Sequence, residues 1–414
     1  MKIIALGSIT LAAAVAMVTN AENTTPSDGL LRIPLARSES SRLKPDSTQL
    51  WYHTLHKYGL FRTKSEMESQ AVAEMPLFDY YGLVDIGTPS QTVKLQFDTG
   101  SSRFVVSTTK CPDCSGTSPF NSDLSSSYRP GVEPWQIHYG DGSFAEGFIA
   151  EDKVTLGPIS VQNQKLNLVV SESPNFDDTV DGVLGLSFGV ISGSTTLFEN
   201  MIKQELVDQG VFSFFFGKRS INGGGEVIFG GVDMDRIEPG STITYTNVTE
   251  ATHWNIDIQD FLVNGGSYAK YKNKAHIRAI VDTGTTLLVG PEVWVSWYHN
   301  QIAKARRFRN IWVVPCKGTG TLSVVIEGKS FVVPYEDLAR EYIGFGLCFS
   351  SVQSSSADYL ILGDVFLKNN YVVFDQAEKR VGFAPLKAED KKVTSPAAVS
   401  EVENAASVRV QKEL

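Results

Sequence analysis

Cysteine is scarce in this chain: there are four among 414 residues, and only Cys111 and Cys114 lie close together. A cysteine zinc site normally needs a second close pair, so a metal or redox role for Cys111-Pro112-Asp113-Cys114 is a lesser rival to a disulfide. Basic surplus is lacking as well. Lys and Arg number 37 against 46 Asp and Glu, a net charge of −9, and no basic cluster is interleaved with aromatics, which argues against a nucleic-acid partner. Long apolar runs are missing after the N-terminus, so no later segment is suited to span a membrane. The run that does exist, Ile3 to Val18, follows Met1-Lys2 and precedes Thr19-Asn20-Ala21. A basic start, a short apolar core and small residues at its end make residues 1–21 a predicted signal peptide, with a membrane anchor as the alternative. In an exported chain, four cysteines point to two disulfides.

What the chain has is a duplicated pattern. Phe97-Asp98-Thr99-Gly100-Ser101 and Val281-Asp282-Thr283-Gly284-Thr285 stand about 184 residues apart, each closing an apolar run that reads as a strand. Each is followed, about 87 and 81 residues after its Asp, by the glycine of a second apolar motif, Gly182-Val183-Leu184-Gly185-Leu186 and Leu360-Ile361-Leu362-Gly363-Asp364. Matched internal spacing predicts two similar lobes. If these pack about a pseudo-twofold axis, the two Asp-Thr-Gly loops meet there and set two carboxylates side by side. Adjacent carboxylates in a low-dielectric cleft share a proton, so one can act as a base toward water while the other donates to a carbonyl oxygen. The glycines permit a tight loop, and the hydroxyls of Thr99, Ser101, Thr283 and Thr285 can hold the carboxylates in plane.

From about Tyr80 to Leu386 these residues resemble the pepsin-like aspartic proteases. Tyr139-Gly140-Asp141-Gly142-Ser143 is similar to the tip of that family's flap, a hairpin covering the substrate. Gly210-Val211-Phe212-Ser213 with Gly225-Glu226-Val227-Ile228-Phe229-Gly230-Gly231, and Asp364-Val365-Phe366-Leu367 through Val381-Gly382-Phe383-Ala384-Pro385, resemble its inter-lobe and C-terminal strands. The resemblance implies a mostly β, bilobal pepsin-like acid protease fold, working as a monomer without cofactor or metal on extended polypeptides. Asp98 and Asp282 would form the catalytic dyad, supported by Thr99, Gly100, Ser101, Thr283, Gly284 and Thr285. Substrate would meet Tyr139, Gly140, Asp141 and Thr286, with apolar pockets walled by Phe176 and Val183 on one side and Ile280 and Ile361 on the other. Each of those four is equally compatible with ordinary core. The disulfides implied are Cys111–Cys114 and Cys316–Cys348.

The same resemblance divides the chain into a signal peptide (1–21), an inhibitory propeptide (22–74), an N-terminal lobe (75–240), a C-terminal lobe (241–387) and a disordered tail (388–414). Within the propeptide, Leu30-Leu31-Arg32-Ile33-Pro34-Leu35 begins like a strand and residues 49–60 read as a helix. Lys57 would place its ammonium between Asp98 and Asp282, with Tyr58 beside it, and acid would loosen this clamp; a solvated surface lysine is the alternative. Processing is predicted near residues 69–75. Asn23 and Asn247 stand in glycosylation sequons, and the product would be secreted or reach an acidic vacuole-like compartment. A weak likeness of the C-terminal Gln411-Lys412-Glu413-Leu414 to an ER-retention signal lacks the Asp.

Two departures from the family pattern stand out. Val105 occupies a position where the family has a tryptophan that holds the flap tyrosine, so Tyr139 needs another partner, with Trp135 a candidate. Gln96 is polar where an apolar pocket residue is usual, which shifts expected specificity toward a more polar side chain. An actin-like phosphate loop is a rival reading of the Asp282 segment, but the chain has no nucleotide-binding companion motif. A catalytically inactive peptide- or protein-binding relative is the other alternative; the chain keeps both triplets and the flap tyrosine, which favours the enzyme.

Overall fold

A computed structural model describes residues 30–37, 47–60 and 80–387, except 113, 115, 139–143, 174–179, 218–223, 274–275 and 309. Tyr139, Gly140, Asp141, Phe176, Asn23, the signal segment, the predicted processing region and the tail therefore lie outside the described residues.

The molecule is mostly β and repeats one small arrangement twice. In the first copy, strand Gln91–Asp98 runs parallel to Gly182–Gly185, which pairs antiparallel with Phe104–Ser107. In the second, Ile277–Val281 runs parallel to Leu360–Leu362, which pairs antiparallel with Leu288–Pro291. Each Asp-Thr-Gly loop leaves the end of the first strand of its copy, so the duplication seen in the sequence is also a duplication of topology. Alternation in the strands sets their faces: Leu95 and Phe97 enter the core while Gln96 points to the opposite side.

A 13-stranded sheet joins the halves. Strand Val211–Phe216, buried along its whole length, lies between Gly225–Phe229 and the C-terminal strand Asn370–Asp375, which in turn pairs with Arg380–Pro385. Burial on both faces explains why Val211-Phe212-Ser213-Phe214-Phe215-Phe216 is almost continuously apolar rather than alternating. Its Phe212 stacks on Phe374 with ring centroids 5.0 Å apart, and both meet Trp254 edge-on. The Trp254 indole N–H donates to the Leu186 carbonyl at 3.0 Å, so the largest side chain of this cluster is buried without an unpaired polar atom.

The predicted propeptide strand forms, as Leu31–Arg37, and sits inside the large sheet rather than at its rim. It pairs antiparallel with Gly225–Phe229 on one side and with Tyr80–Ile86 on the other. Arg32 in this strand meets Asp233 at 2.8 Å and Glu226 at 3.2 Å. The predicted helix also forms, at Ser47–Tyr58. Its Leu50, Trp51 and Leu55 pack against Leu287, Val289 and Ile361 of the second lobe, and the Trp51 indole donates to the Ser354 carbonyl at 2.9 Å. Its first residue, Ser47, hydrogen-bonds to Glu341 and accepts from Arg340 at 2.6 Å. Both predicted cysteine pairs are bonded, Cys111–Cys114 and Cys316–Cys348.

Candidate active site

The two Asp-Thr-Gly loops meet, and their hydrogen bonds mirror one another. The Thr99 N–H donates to the Thr283 hydroxyl at 3.0 Å, and the Thr283 N–H donates to the Thr99 hydroxyl at 2.9 Å. Each hydroxyl then donates onward, Thr99 to the Val281 carbonyl and Thr283 to the Phe97 carbonyl. The carboxylates are held in the same symmetric way. Gly100 N–H reaches Asp98 Oδ1 and Gly284 N–H reaches Asp282 Oδ1, both at 2.9 Å. Ser101 donates to Asp98 Oδ2 at 2.5 Å, and Thr285 donates to Asp282 Oδ2.

Steric limits explain the glycines. A Cβ on Gly100 would lie 2.5 Å from Asp282 Oδ1, and one on Gly284 would lie 2.2 Å from Asp98 Oδ1. Any side chain at either position would push the carboxylates apart.

Lys57 reaches between the two aspartates, with Nζ 2.7 Å from Asp98 Oδ1 and 2.9 Å from Asp282 Oδ2. The Tyr58 hydroxyl donates to Asp282 Oδ2 at 2.9 Å. Burial alone would lower Lys57, but the charges of Asp282 and Asp98 more than offset it, so its pKa is raised. The two carboxyls diverge. Burial, opposed by Lys57 and reinforced by the charge of Asp282, raises Asp98. At Asp282 burial acts in the same upward sense, but Lys57 and the hydrogen bonds from Thr285 and Asp98 overcome it and hold this carboxyl well below the ordinary range. Two neighbouring carboxyls with affinities pushed in opposite directions can hold one proton between them.

The other predicted residues fall out as follows. Val183 lines a cavity beside Asp98, together with Gln96 and Val105. Ile361 is fully buried beneath the helix Ser47–Tyr58, and Ile280, in register with it, is also buried. Thr286 is buried with its carbonyl held by the Val365 N–H, and it is not among the residues around that cavity. Asn247 is exposed at the end of strand Thr244–Asn247. The hairpin expected to carry the flap is present in its arms, Pro134–His138 paired with Phe144–Leu156. One expectation fails on chemistry: the indole N–H of Trp135, the candidate anchor for Tyr139, already donates to the Leu168 carbonyl at 3.1 Å. An indole has one donor and no acceptor, so Trp135 has nothing left to offer the flap tyrosine.

Sequence reasoning missed His253. Its ring lies 6.1 Å from that of Tyr58, and its pKa is lowered by burial and by Lys57 against the opposing charge of Asp282. No motif surrounds it, so only the folding of the Thr252-His253-Trp254 turn brings it to the site.

Comparison with known proteins agrees with this geometry. Residues 79–386 match the family model described as eukaryotic aspartyl protease. Rhizopuspepsin-2 of Rhizopus niveus is 34% identical over 402 residues, spanning 93% of this chain and 100% of the relative. Syncephapepsin of Syncephalastrum racemosum is 37% identical over 318 residues, 75% of this chain and 78% of its own. Embryonic pepsinogen of Gallus gallus is 34% identical over 377 residues, 86% of this chain and 96% of its own. With a family model covering most of its length and relatives matched nearly end to end, the chain belongs to the eukaryotic aspartyl protease family.

Proposed function

We propose that this aspartic endopeptidase is made as a self-inhibited precursor whose dyad, Asp98 and Asp282, is blocked by Lys57 and Tyr58 of its own propeptide. The single observation that carries the reading is the ammonium of Lys57 within 3.0 Å of both carboxylates, where an attacking water and a substrate carbonyl would otherwise sit. The propeptide spans residues 22–74, the lobes residues 75–240 and 241–387, and processing falls near residues 69–75. Removing the propeptide takes away the one cation facing both aspartates among the described residues. The carboxyls then share a proton, and the ionised one draws a proton from a water held between them while the protonated one donates to the scissile carbonyl oxygen.

Because water is the nucleophile, no covalent bond to the enzyme forms; collapse of the tetrahedral intermediate breaks the C–N bond as a proton passes to the leaving amine. Backbone groups around the cleft bind the extended peptide, Tyr139, Gly140, Asp141 and Thr286 are the proposed contacts, and side chains alternate into pockets on either side. The signal-like N-terminus supports export, to the cell exterior or to an acidic compartment, with Asn247 a glycan acceptor.

Acid-processed enzyme should be inhibited by peptides carrying a central hydroxyl in place of the scissile carbonyl, since that hydroxyl mimics the water between the aspartates. Chelators, serine reagents and thiol reagents should leave it active. Insensitivity to hydroxyl-bearing peptides together with sensitivity to a chelator would overturn the mechanism.

A further inference from the structure

Beside Asp98 lies a cavity of about 330 Å³ whose floor is one row of side chains dictated by strand alternation. Gln96, Val183 and Val105 stand opposite one another across three neighbouring strands, and Ser107 and Val169 form the next pair on the same face. Their neighbours Phe97, Leu184, Phe104 and Val106 point the other way into the core. The row is apolar except at Gln96 and Ser107.

Those two exceptions are unusual in their surroundings. Gln96 is 4% exposed and Ser107 5%, and neither side chain makes a hydrogen bond among the described residues. Both line the cavity. Neither belongs to the polar side-chain atoms sealed away from the surface without a partner, so both present their hydrogen-bonding groups to the cavity, where an incoming group can pair with them. The nearby Trp135 cannot serve, since its N–H is committed to Leu168. Val105 adds space: it is small where the resembled family carries a tryptophan, and it leaves the floor of the cavity open.

We propose that this cavity is a specificity pocket for a substrate side chain with an apolar body and a neutral hydrogen-bonding end, tyrosine above all, with Gln96 as the residue that selects it. The inference rests on the proteolytic reading of the same cleft. Val105, Val169 and Val183 suit an aromatic ring. The amide of Gln96 and the hydroxyl of Ser107 each offer a donor and an acceptor without charge, which matches a phenol hydroxyl that does both. A phenylalanine in the same place would fill the walls but leave the amide unpaired. A site built to pair a substrate hydroxyl discriminates strongly against the analogue that lacks it.

The test uses mature enzyme obtained by acid processing and a peptide series that exchanges Tyr for Phe at each position flanking the scissile bond. At one position kcat/KM should favour Tyr by about tenfold or more. In Gln96→Leu that ratio should fall to about threefold or less, by loss on the Tyr peptide and gain on the Phe peptide. Ser107→Ala should give an intermediate ratio, and the ratios at other positions should not move. If Gln96→Leu does not fold, Gln96→Asn withdraws the amide by one methylene and should lower the ratio in the same direction. A wild-type ratio near one at every position, or one unchanged in the Gln96 variants, would overturn the proposal while leaving the proteolytic reading intact. Hydrolysis that persists in Asp98→Asn would instead overturn the reading on which it rests.

Discussion

Thr99 and Thr283 hold each other across the cleft, each hydroxyl accepting the other's backbone N–H while donating to a carbonyl on the opposite strand. Both are almost fully buried, so the four bonds fix the spacing of the two aspartates without help from solvent. Thr99→Val keeps the shape but leaves the Thr283 N–H and the Val281 carbonyl unpaired, at about 1–3 kcal/mol for each buried group. Urea unfolding of the unprocessed protein should register that loss. The double variant with Thr283→Val should cost less than the two single variants together, by about 1 kcal/mol, because the bonds form one network. Strict additivity would mean that the loops are held by something else.

The Lys57 clamp carries a definite pH signature. Its raised pKa means that its contribution is complete below the ordinary lysine value and is lost only as pH rises through the raised one, so acid does not discharge it. Asp282, held low, contributes stability that is present above the ordinary carboxylate value and is lost only as pH falls well below it. Asp98, raised, takes up its proton first and leaves the Lys57–Asp282 pair intact. Lys57→Met should therefore destabilise the precursor at neutral pH by about 3 kcal/mol, with the deficit persisting below the ordinary carboxylate range. Lys57→Glu should move activation to higher pH. An activation profile unchanged by Lys57→Glu, measured by cleavage of the precursor, would show that the propeptide inhibits by cover alone.

A buried histidine works against acid stability. His299 lies in a helix of the second lobe, Glu292–Asn300, stacked on Trp312 at 4.3 Å, with Nδ1 2.7 Å from the Val295 carbonyl and Nε2 2.8 Å from the Ser350 hydroxyl. The carbonyl can only accept, so Nδ1 carries the proton and Nε2 receives the serine hydroxyl. Burial, opposed by the Val295 carbonyl and Glu292, lowers its pKa to about 3. Because the unfolded chain takes up this proton first, stability should fall as pH drops from the ordinary histidine value toward that lowered one, by about 5 kcal/mol in all. In His299→Gln, unfolding curves taken between pH 6 and pH 4 should show a decline that is shallower by at most about 1.4 kcal/mol per pH unit. An identical slope would place the acid sensitivity elsewhere.

Much of this arrangement was legible in the sequence because its signals are local and repeated. Asp98-Thr99-Gly100 and Asp282-Thr283-Gly284 announce their loops by residue type, and their spacing to Gly185 and Gly363 announces two copies of one topology. Lys57 was legible only through its place in the helix expected over residues 49–60. The position of Leu31–Arg37 between Gly225–Phe229 and Tyr80–Ile86 was not readable, since a short strand carries no mark of which edges it will pair with. Nor was the commitment of Trp135 to Leu168, which depends on how two strands far apart in sequence register. Gln96 stood out as a polar residue in an apolar run; its place on the cavity wall became visible only with the fold.

The most direct measurement of the central claim is the rate of peptide hydrolysis by Asp98→Asn, Asp282→Asn and the double variant, each shown by circular dichroism and urea unfolding to be folded. An amide can neither serve as the base nor share the proton, and the two groups act as one unit. Each single variant should therefore fall to background, on the order of 10³-fold or more below the parent, and the double variant should fall no further. Retention of more than about a few per cent of the parent rate by either single variant would contradict the account, as would losses that multiply in the double variant.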